Sequence, residues 1–503
     1  MRDLKEDRKI LDEIDSKIIS LLENRMEIVK EVGSYKLKNN LNIEDKNREK
    51  FIIKKLEKTI NSEFKNIVEP IYSEIFKESK KLTSKIKDEN FKYGLIGKTL
   101  SHSKSKEIHD FLSRYDYYLR NIDENELRSF FKDRNFEGIN VTIPYKEISM
   151  KYLDDVDNLA KEIGAVNTIV NRNGKLIGYN TDYLGFNHSI NKFGINLKNK
   201  KVLILGSGGA SKMLQKLLLD KHVKDFVVIS RSGENNYNNI EKFYDYNLII
   251  NATPIGMYPN NMESKINLEN FNKLEGVIDL IYNPLNTKLI LDAKKLKIKT
   301  MSGLLMLVAQ AFYAAEFFLD EKLDENLIDK IYYKLKFDMT NIVFIGMPSS
   351  GKSTMAKALA EKLNRKFLDT DQLIEECEDK RIPEIFEKND EKYFRDLESK
   401  ILSKISKETG LVIATGGGTV LREENRDLIL QNSLVVYLDR DLKNLETEGR
   451  PLSKNLDNLK RLYCERHKIY EDLSNIRIKV IEDKDKNIEL ILKEVENYEN
   501  FSD

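Results

Sequence analysis

Cysteine is almost missing from this chain of 503 residues, which has only Cys377 and Cys464. That excludes a disulfide framework and points to a reducing compartment. Histidine is scarce as well. There are five, and none forms a ligand pair such as H-x-x-x-H, so the sequence offers no zinc site. Neither charge is in excess: 84 Lys and Arg stand against 83 Asp and Glu, for a net charge of +1. The bases are interleaved with acids, which argues against a nucleic-acid or membrane-surface protein and leaves small charged substrates open. Long apolar runs are lacking too. The longest, Leu304 to Leu319, contains Gln310 and Glu316 and falls short of the ~20 residues a membrane span needs. It reads as a buried helix. The opening "MRDLKEDRKI" is charged throughout and is not expected to act as a secretory signal, so a cytoplasmic location is expected.

What is present divides into three regimes, in keeping with the ~100 to 200 residues of an ordinary domain. Over residues 5 to 85, apolar positions recur at helical spacing (Ile14, Ile18, Leu21, Leu22, Ile28, Val29, Val32) without strand signals. Breaks near Asn39-Asn40 and Asn61-Ser62 predict three helices, the first long. From "FKYGLIG" at Phe91 to about Phe337, short β-branched runs alternate with helical patterns, which predicts parallel α/β architecture. A second run of that kind opens at "NIVFIG". "KLTSKIKDEN" and "KLKFDMT" are the expected joints, and no internal repeat is evident.

"GMPSSGKST", Gly346 to Thr354, fits the phosphate loop G-x-x-x-x-G-K-[ST], with a strand before it and the helix "KSTMAKALAEKL" after it. Gly346, Ser350, Gly351 and Thr354 belong to this cradle; Lys352 supplies charge and Ser353 a magnesium ligand. Downstream, "FLDTDQLIEE" places Asp369 and Asp371 at a strand end. "YFRDLE" supplies Arg395, "LVIATGGGTV" ends in Gly416, Gly417 and Gly418, "GRPLS" holds Arg450 and "ERHKIYE" holds Arg466. This set resembles shikimate kinase from 340 to about 495. The resemblance implies that Asp371 takes the acceptor proton, that Arg395 and Arg466 clamp the shikimate carboxylate, and that Gly416 to Gly418 let backbone approach the ring. It further implies that Asp369 serves Mg2+ and that Arg450 acts from a lid on the phosphoryl group of ATP.

"KVLILGSGGASKMLQKLL" reads as strand, turn and helix, with Gly206 and Gly208 permitting a turn and a close pyrophosphate approach, Gly209 and Ala210 following, and Ser211 in the third glycine's place. The next strand, "DFVVIS", leads to Arg231 and Ser232 with no acid there. A cation at that point suits the 2′-phosphate of NADP(H), although "SRSGENN" has no second base. Ahead of this loop, "GLIGKTLSHSKS" ends a strand and starts a helix, with Ser101 and Ser103 at the change. "GINVTIPYKE" carries Thr142 and Lys146, and "NTIVNRNGKLIGYNTD" predicts a hairpin whose Asn173-Gly174 turn folds Asn167 back toward Asp182. With "INATPIGM", "IYNP" and "SGLLMLVAQA", these stretches resemble shikimate dehydrogenase from about 90 to 335. The resemblance gives Ser101 and Ser103 to the substrate carboxylate and Thr142, Asn167 and Gln310 to ring hydroxyls. It places Tyr282 with the substrate, Gly303 at the cofactor, and Lys146 with Asp182 as the catalytic pair. Quinate, one ring hydroxyl away from shikimate, is a narrower alternative substrate.

"EDRKILDEIDSKIISLLENRMEIVKEVGSYKL", followed by "EDKNRE", resembles the small all-helical chorismate mutases over residues 5 to 85. Chorismate is a dianion that rearranges within itself, so its enzyme needs cations and donors but no nucleophile. By resemblance Arg8, Arg25 and Arg48 supply charge, Lys36 faces the ether oxygen, Glu49 binds the hydroxyl, and Asp45 and Ser79 belong to the site. Thr83 stands where a long donor such as glutamine is usual. Two chains interlock in the family, so a homodimer through these helices is expected; the other reading is a noncatalytic dimerising or ligand-sensing module.

The whole reads as a multidomain chain. Residues 1–88 form an all-α three-helix module. An α/β dehydrogenase of two domains follows at 89–337, made of a substrate domain at 89–190, a Rossmann NADP domain at 191–305 and returning helices at 306–337. An α/β P-loop kinase occupies 338–503. The expected partners are small-molecule substrates, with no nucleic acid and no membrane.

Overall fold

The computed structural model describes residues 3–38, 41, 45–100, 103–445 and 456–501. The chain forms two compact units, residues 1–181 with 311–322, and residues 182–310 with 323–503.

The first unit opens on three helices, Leu4–Lys38, Lys46–Glu57 and Val68–Asn90. The expected joint at 81–90 is the end of the third helix; it contains neither glycine nor proline to stop it. The long first helix packs on the third, yet it leaves Leu11, Ile14, Ile18, Leu21 and Ile28 between 45% and 67% exposed. A stripe of that kind is a face left open among the described residues.

A six-stranded sheet follows, in the order Tyr117–Asn121, Tyr93–Gly97, Gly138–Val141, Thr168–Arg172, Lys175–Tyr179, Asp155–Val156. Its first three strands are parallel, and Thr168–Arg172 runs against them. Thr168–Arg172 then turns back into Lys175–Tyr179 through two residues, Asn173 and Gly174 at φ 53° and 85°, the left-handed pair a tight hairpin demands.

The second unit holds two five-stranded parallel sheets. One runs Lys299–Ser302, Gly276–Asp279, Leu248–Asn251, Lys201–Leu205, Asp225–Ile229. The other runs Phe367–Asp369, Val412–Ala414, Asn341–Ile345, Ser433–Asp439, Ile476–Lys479. Their central strands, such as "NIVFI", are buried throughout and apolar almost continuously, as sheets covered on both faces must be. Connections return at the carboxyl ends of strands, where the glycine loops lie. The second expected joint is again helical: Asn326–Met339 reaches the strand at Asn341 across the single residue Thr340. The apolar helix Leu304–Leu319 forms as expected, and among the described residues no helix is long and apolar enough to cross a membrane.

Candidate active sites

Backbone geometry requires the glycines of the phosphate loop. Gly346 lies at φ 145° and Gly351 at φ 96°, and a Cβ on Gly346 would stand 2.7 Å from the Leu438 carbonyl. Ser350 is fully buried, and Lys352 is 8% exposed. The Lys352 Nζ donates to the Met347 carbonyl at 2.9 Å and the Gly346 carbonyl at 3.1 Å. A buried ammonium at the start of a helix suits phosphate oxygens. Ser353 donates to Asp369 Oδ2 at 2.5 Å, so the two predicted metal residues meet, and Thr354 follows on the exposed side of the first turn. Their oxygens fit Mg2+, which takes one or two protein oxygens and completes its shell with water and phosphate. Asp369 also caps the helix Thr370–Glu378, accepting from the Asp371 amide at 2.9 Å, which sets Asp371 in the first turn.

The three glycines gather residues predicted to hold the acceptor. A Cβ on Gly416 would lie 2.7 Å from Asp371 Oδ1, one on Gly417 2.9 Å from Pro348, and one on Gly418 would overlap the Arg395 guanidinium. Arg395 and Arg466 are 7% and 3% exposed. Arg395 pairs with Glu398 at 2.5 Å and Glu391 at 2.9 Å. Burial opposes its charge, but these carboxylates outweigh burial and hold the guanidinium above its ordinary value. The Arg466 Nε is buried and donates no hydrogen bond among the described residues, with Glu465 Oε2 4.0 Å away. Such a donor fits an incoming anion. One turn on, Tyr470, pushed up to about 12 by burial, stays protonated and donates to the Gly417 carbonyl. A cavity of about 210 Å³ is lined by Ser349, Gly351, Lys352, Ser353, Asp371, Thr415 and Arg440. Arg450 lies outside the described residues.

In the first unit, the hairpin carries Asn167 to Thr181: Asn167 Oδ1 accepts from the Thr181 amide at 2.7 Å. Its carbonyl accepts from the Val141 amide at 2.9 Å, one residue before Thr142, and the Lys146 carbonyl accepts from the Val166 amide at 2.9 Å. Thr142, Lys146 and Asn167 are therefore neighbours at one end of the sheet. Thr142 also packs beside Gly97, where a Cβ would come within 2.6 Å of its Cγ2. Ser103 begins the helix Ser105–Leu112, accepting from the Ser105 amide at 3.3 Å, while Ser101 lies outside the described residues.

In the second unit, Asp182 is half-buried in the first turn of the helix Thr181–Lys192. Gln310 is 8% exposed and donates to the Leu307 carbonyl at 3.0 Å. Gly206 sits at φ 106° against Thr253. A Cβ on Gly208 or Gly209 would meet nothing within 4 Å, so open space lies over the start of the helix Gly209–Asp220, which Ala210 continues. Ser211 is fully buried, as the packing position of the third glycine requires. Arg231 and Ser232 are exposed beyond the strand Asp225–Ile229. Gly303 brings its chain against the Leu280 carbonyl, which a Cβ would overlap, next to half-buried Tyr282.

In the helices, Arg25 donates to Ser79 Oγ at 2.7 Å, and Asp45 caps the second helix by accepting from the Arg48 amide at 2.9 Å. Glu49 pairs with Lys80 at 3.1 Å, and Lys36 is half-buried. Arg8 and Arg48 are exposed. Thr83 is 5% exposed and bonded back to the Ser79 carbonyl at 3.0 Å, with its methyl against Gly33. Sequence reasoning missed three residues. Glu398 could have been found from its i, i+3 spacing to Arg395. Lys80 and Arg440 could not, because the pairing with Glu49 and the cavity wall exist only in three dimensions.

Comparison with known proteins matches three stretches of the chain. Chorismate mutase type II matches residues 7–84, the shikimate dehydrogenase substrate binding domain 95–169, and shikimate kinase 348–496. A shikimate dehydrogenase (NADP(+)) of Clostridium perfringens is 37% identical over 268 residues, covering 48% of this chain and 98% of that protein. One of Clostridium botulinum is 39% identical over 242 residues, covering 44% and 93%. A solved chorismate mutase/shikimate 5-dehydrogenase fusion protein from Clostridium acetobutylicum is 35% identical with a TM-score of 0.47, covering 49% of this chain and 97% of that one.

Proposed function

The chain belongs to the shikimate dehydrogenase family and carries chorismate mutase and shikimate kinase domains beside it, making a multifunctional shikimate-pathway enzyme, and from that premise we propose how its residues divide the work. The modules occupy 1–88, 89–337 and 338–503.

The kinase reading is carried by one observation, the convergence of Asp371, Arg395 and the three glycines beside the phosphate loop. The shikimate carboxylate seats on Arg395 and Arg466, and the ring lies over 416–418. Asp371 accepts the hydroxyl proton as that oxygen attacks the γ-phosphorus of ATP, and the bond to ADP breaks. Lys352 and Arg450 offset the charge gathering on the transferred group. Ser353 and Asp369 hold Mg2+, which supplies further positive charge at the phosphates.

In the dehydrogenase the loop 206–211 seats the pyrophosphate of NADP(H), with Gly303 near it, and Arg231 faces the 2′-phosphate. NADPH, when bound there, would supply the hydride that reduces the carbonyl of 3-dehydroshikimate. Lys146 gives its proton to the carbonyl oxygen, yielding shikimate, and Asp182 keeps the ammonium oriented. Ser101 and Ser103 hold the carboxylate; Thr142, Asn167, Tyr282 and Gln310 hold the rest of the ring.

In the helical module, Arg8, Arg25 and Arg48 balance the two carboxylates of chorismate, Lys36 faces the ether oxygen and Glu49 takes the hydroxyl. The exposed apolar stripe on the first helix supports a homodimer in which Arg8 completes the site of a second copy. Thr83, turned back on its own helix, offers no long donor, and this favours a second reading in which the module senses ligands or dimerises.

Purified full-length protein tests all three activities: NADPH oxidation with 3-dehydroshikimate, shikimate-dependent ADP formation, and conversion of chorismate to prephenate. Each is expected, and the absence of any one removes that module's assignment.

A further inference from the structure

The helix Glu423–Leu430 directly follows the turn Thr419–Leu421, which follows the glycines 416–418. It is bonded back to that turn. Asn425, fully buried, donates to the Thr419 carbonyl at 2.9 Å, and the Thr419 hydroxyl donates at 2.8 Å to Glu398, the partner of Arg395. Whatever fixes this helix also fixes the acceptor loop.

Besides Ser399 and Arg422, which bond Glu424 from within the P-loop domain, its polar partners include side chains of the dinucleotide-binding domain. Asp427, 4% exposed, pairs with Lys288 at 3.2 Å and Lys295 at 2.9 Å, both on the helix Lys288–Lys295. Burial opposes the charge on each lysine, but the surrounding carboxylates outweigh it and hold both above their ordinary values. Just past the helix, fully buried Gln431 donates to the Asn261 carbonyl at 2.8 Å and accepts from the Asn261 amide nitrogen. A carboxylate and an amide buried this deeply are costly unless partnered, and here the partners lie more than a hundred residues upstream, in another domain. Two domains merely joined end to end would leave such groups to water.

We propose that the dinucleotide-binding domain is a positioning element of the kinase: Lys288 and Lys295 hold Asp427, and through its helix they hold the acceptor loop. The proposal rests on the reading that 416–418 receive shikimate. Asp427 touches no substrate, so its effect should fall on acceptor binding and spare the phosphate loop.

The test uses the full-length chain with Asp427→Asn, with the double variant Lys288→Gln/Lys295→Gln, and with Lys295→Arg as the conservative control. Asp427→Asn and the double variant are each expected to raise the kinase KM for shikimate about fivefold or more, in the range of coupled side-chain networks. KM for ATP and the reduction of 3-dehydroshikimate should stay at parental values, and Lys295→Arg should keep the parental KM for shikimate. Should Asp427→Asn fail to fold, the double variant reads the same coupling from side chains that are 25% and 42% exposed. An unchanged KM for shikimate in the folded variants, or a parallel loss in KM for ATP and kcat, would overturn the proposal. If the parental chain itself formed no ADP with shikimate, the kinase reading would be what fails.

Discussion

Both the P-loop domain and the helical module are built to handle anions, but they treat their cations in opposite ways. In the P-loop domain Lys352, Arg395 and Arg466 are 8%, 7% and 3% exposed, with Lys352 held by loop carbonyls and Arg395 by carboxylates and by close packing against Gly418. In the helices Arg8 and Arg48 lie exposed, and the long helix turns Leu11 and Leu21 to solvent at 57% and 67%. A parallel sheet with its own loops can enclose an anion within one chain. Three helices cannot, and we propose that a second copy covers the apolar surface they leave open.

The largest break in this contrast would come from the enclosed site. Asp371→Asn should lower kinase turnover by ~10²- to 10⁴-fold, the span of general-base catalysis, while chorismate turnover stays parental. Phosphoryl-transfer assays on both proteins check it; a loss under tenfold would remove Asp371 as the base. Next in size, Arg450→Ala should cost about 3 kcal/mol of transition-state stabilisation, the scale of one preorganised donor. It should appear in kcat and not in the KM for shikimate; unchanged turnover would sink the lid role.

Exposed charge should matter less. Arg231, open to solvent, is expected to give roughly tenfold in KM for NADPH when changed to alanine, with KM for NADH unmoved. Equal use of both cofactors by the parental protein would contradict its role. The smallest effect is expected at Thr83→Gln, which should raise kcat/KM for chorismate severalfold by restoring a donor that can reach the ether oxygen. No gain would mean that Thr83 is not the module's shortfall.

Features with local physical causes were legible in the sequence. The phosphate loop showed because glycines at positive φ interrupt a strand and a helix, and the hairpin because Asn173-Gly174 fits one turn type. The clustering of Asp371 and Arg395 around 416–418 was legible through the kinase resemblance, although the close approach that demands glycine there is visible only in three dimensions. The form of the chain at the expected joints was not legible: "KLTSKIKDEN" contains no breaker, so the third helix runs through it to Asn90. Least legible was the polar contact between Gln431 and Asn261, since either residue alone reads as ordinary surface. Thr83 was recognisable as a short donor, but its bond back to Ser79 was not.

The central claim, that the P-loop domain is complete in one chain whereas the helical module is completed by a second, is tested most directly by mixing Arg8→Ala and Arg25→Ala proteins after subunit exchange. Each alone should lack chorismate turnover and keep full kinase activity. A statistical mixture of dimers should regain about a quarter of parental chorismate turnover, because each hybrid carries one intact composite site. Kinase activity should not change on mixing. No recovery, with exchange demonstrated, would place Arg8 and Arg25 in the same chain's site and contradict the account.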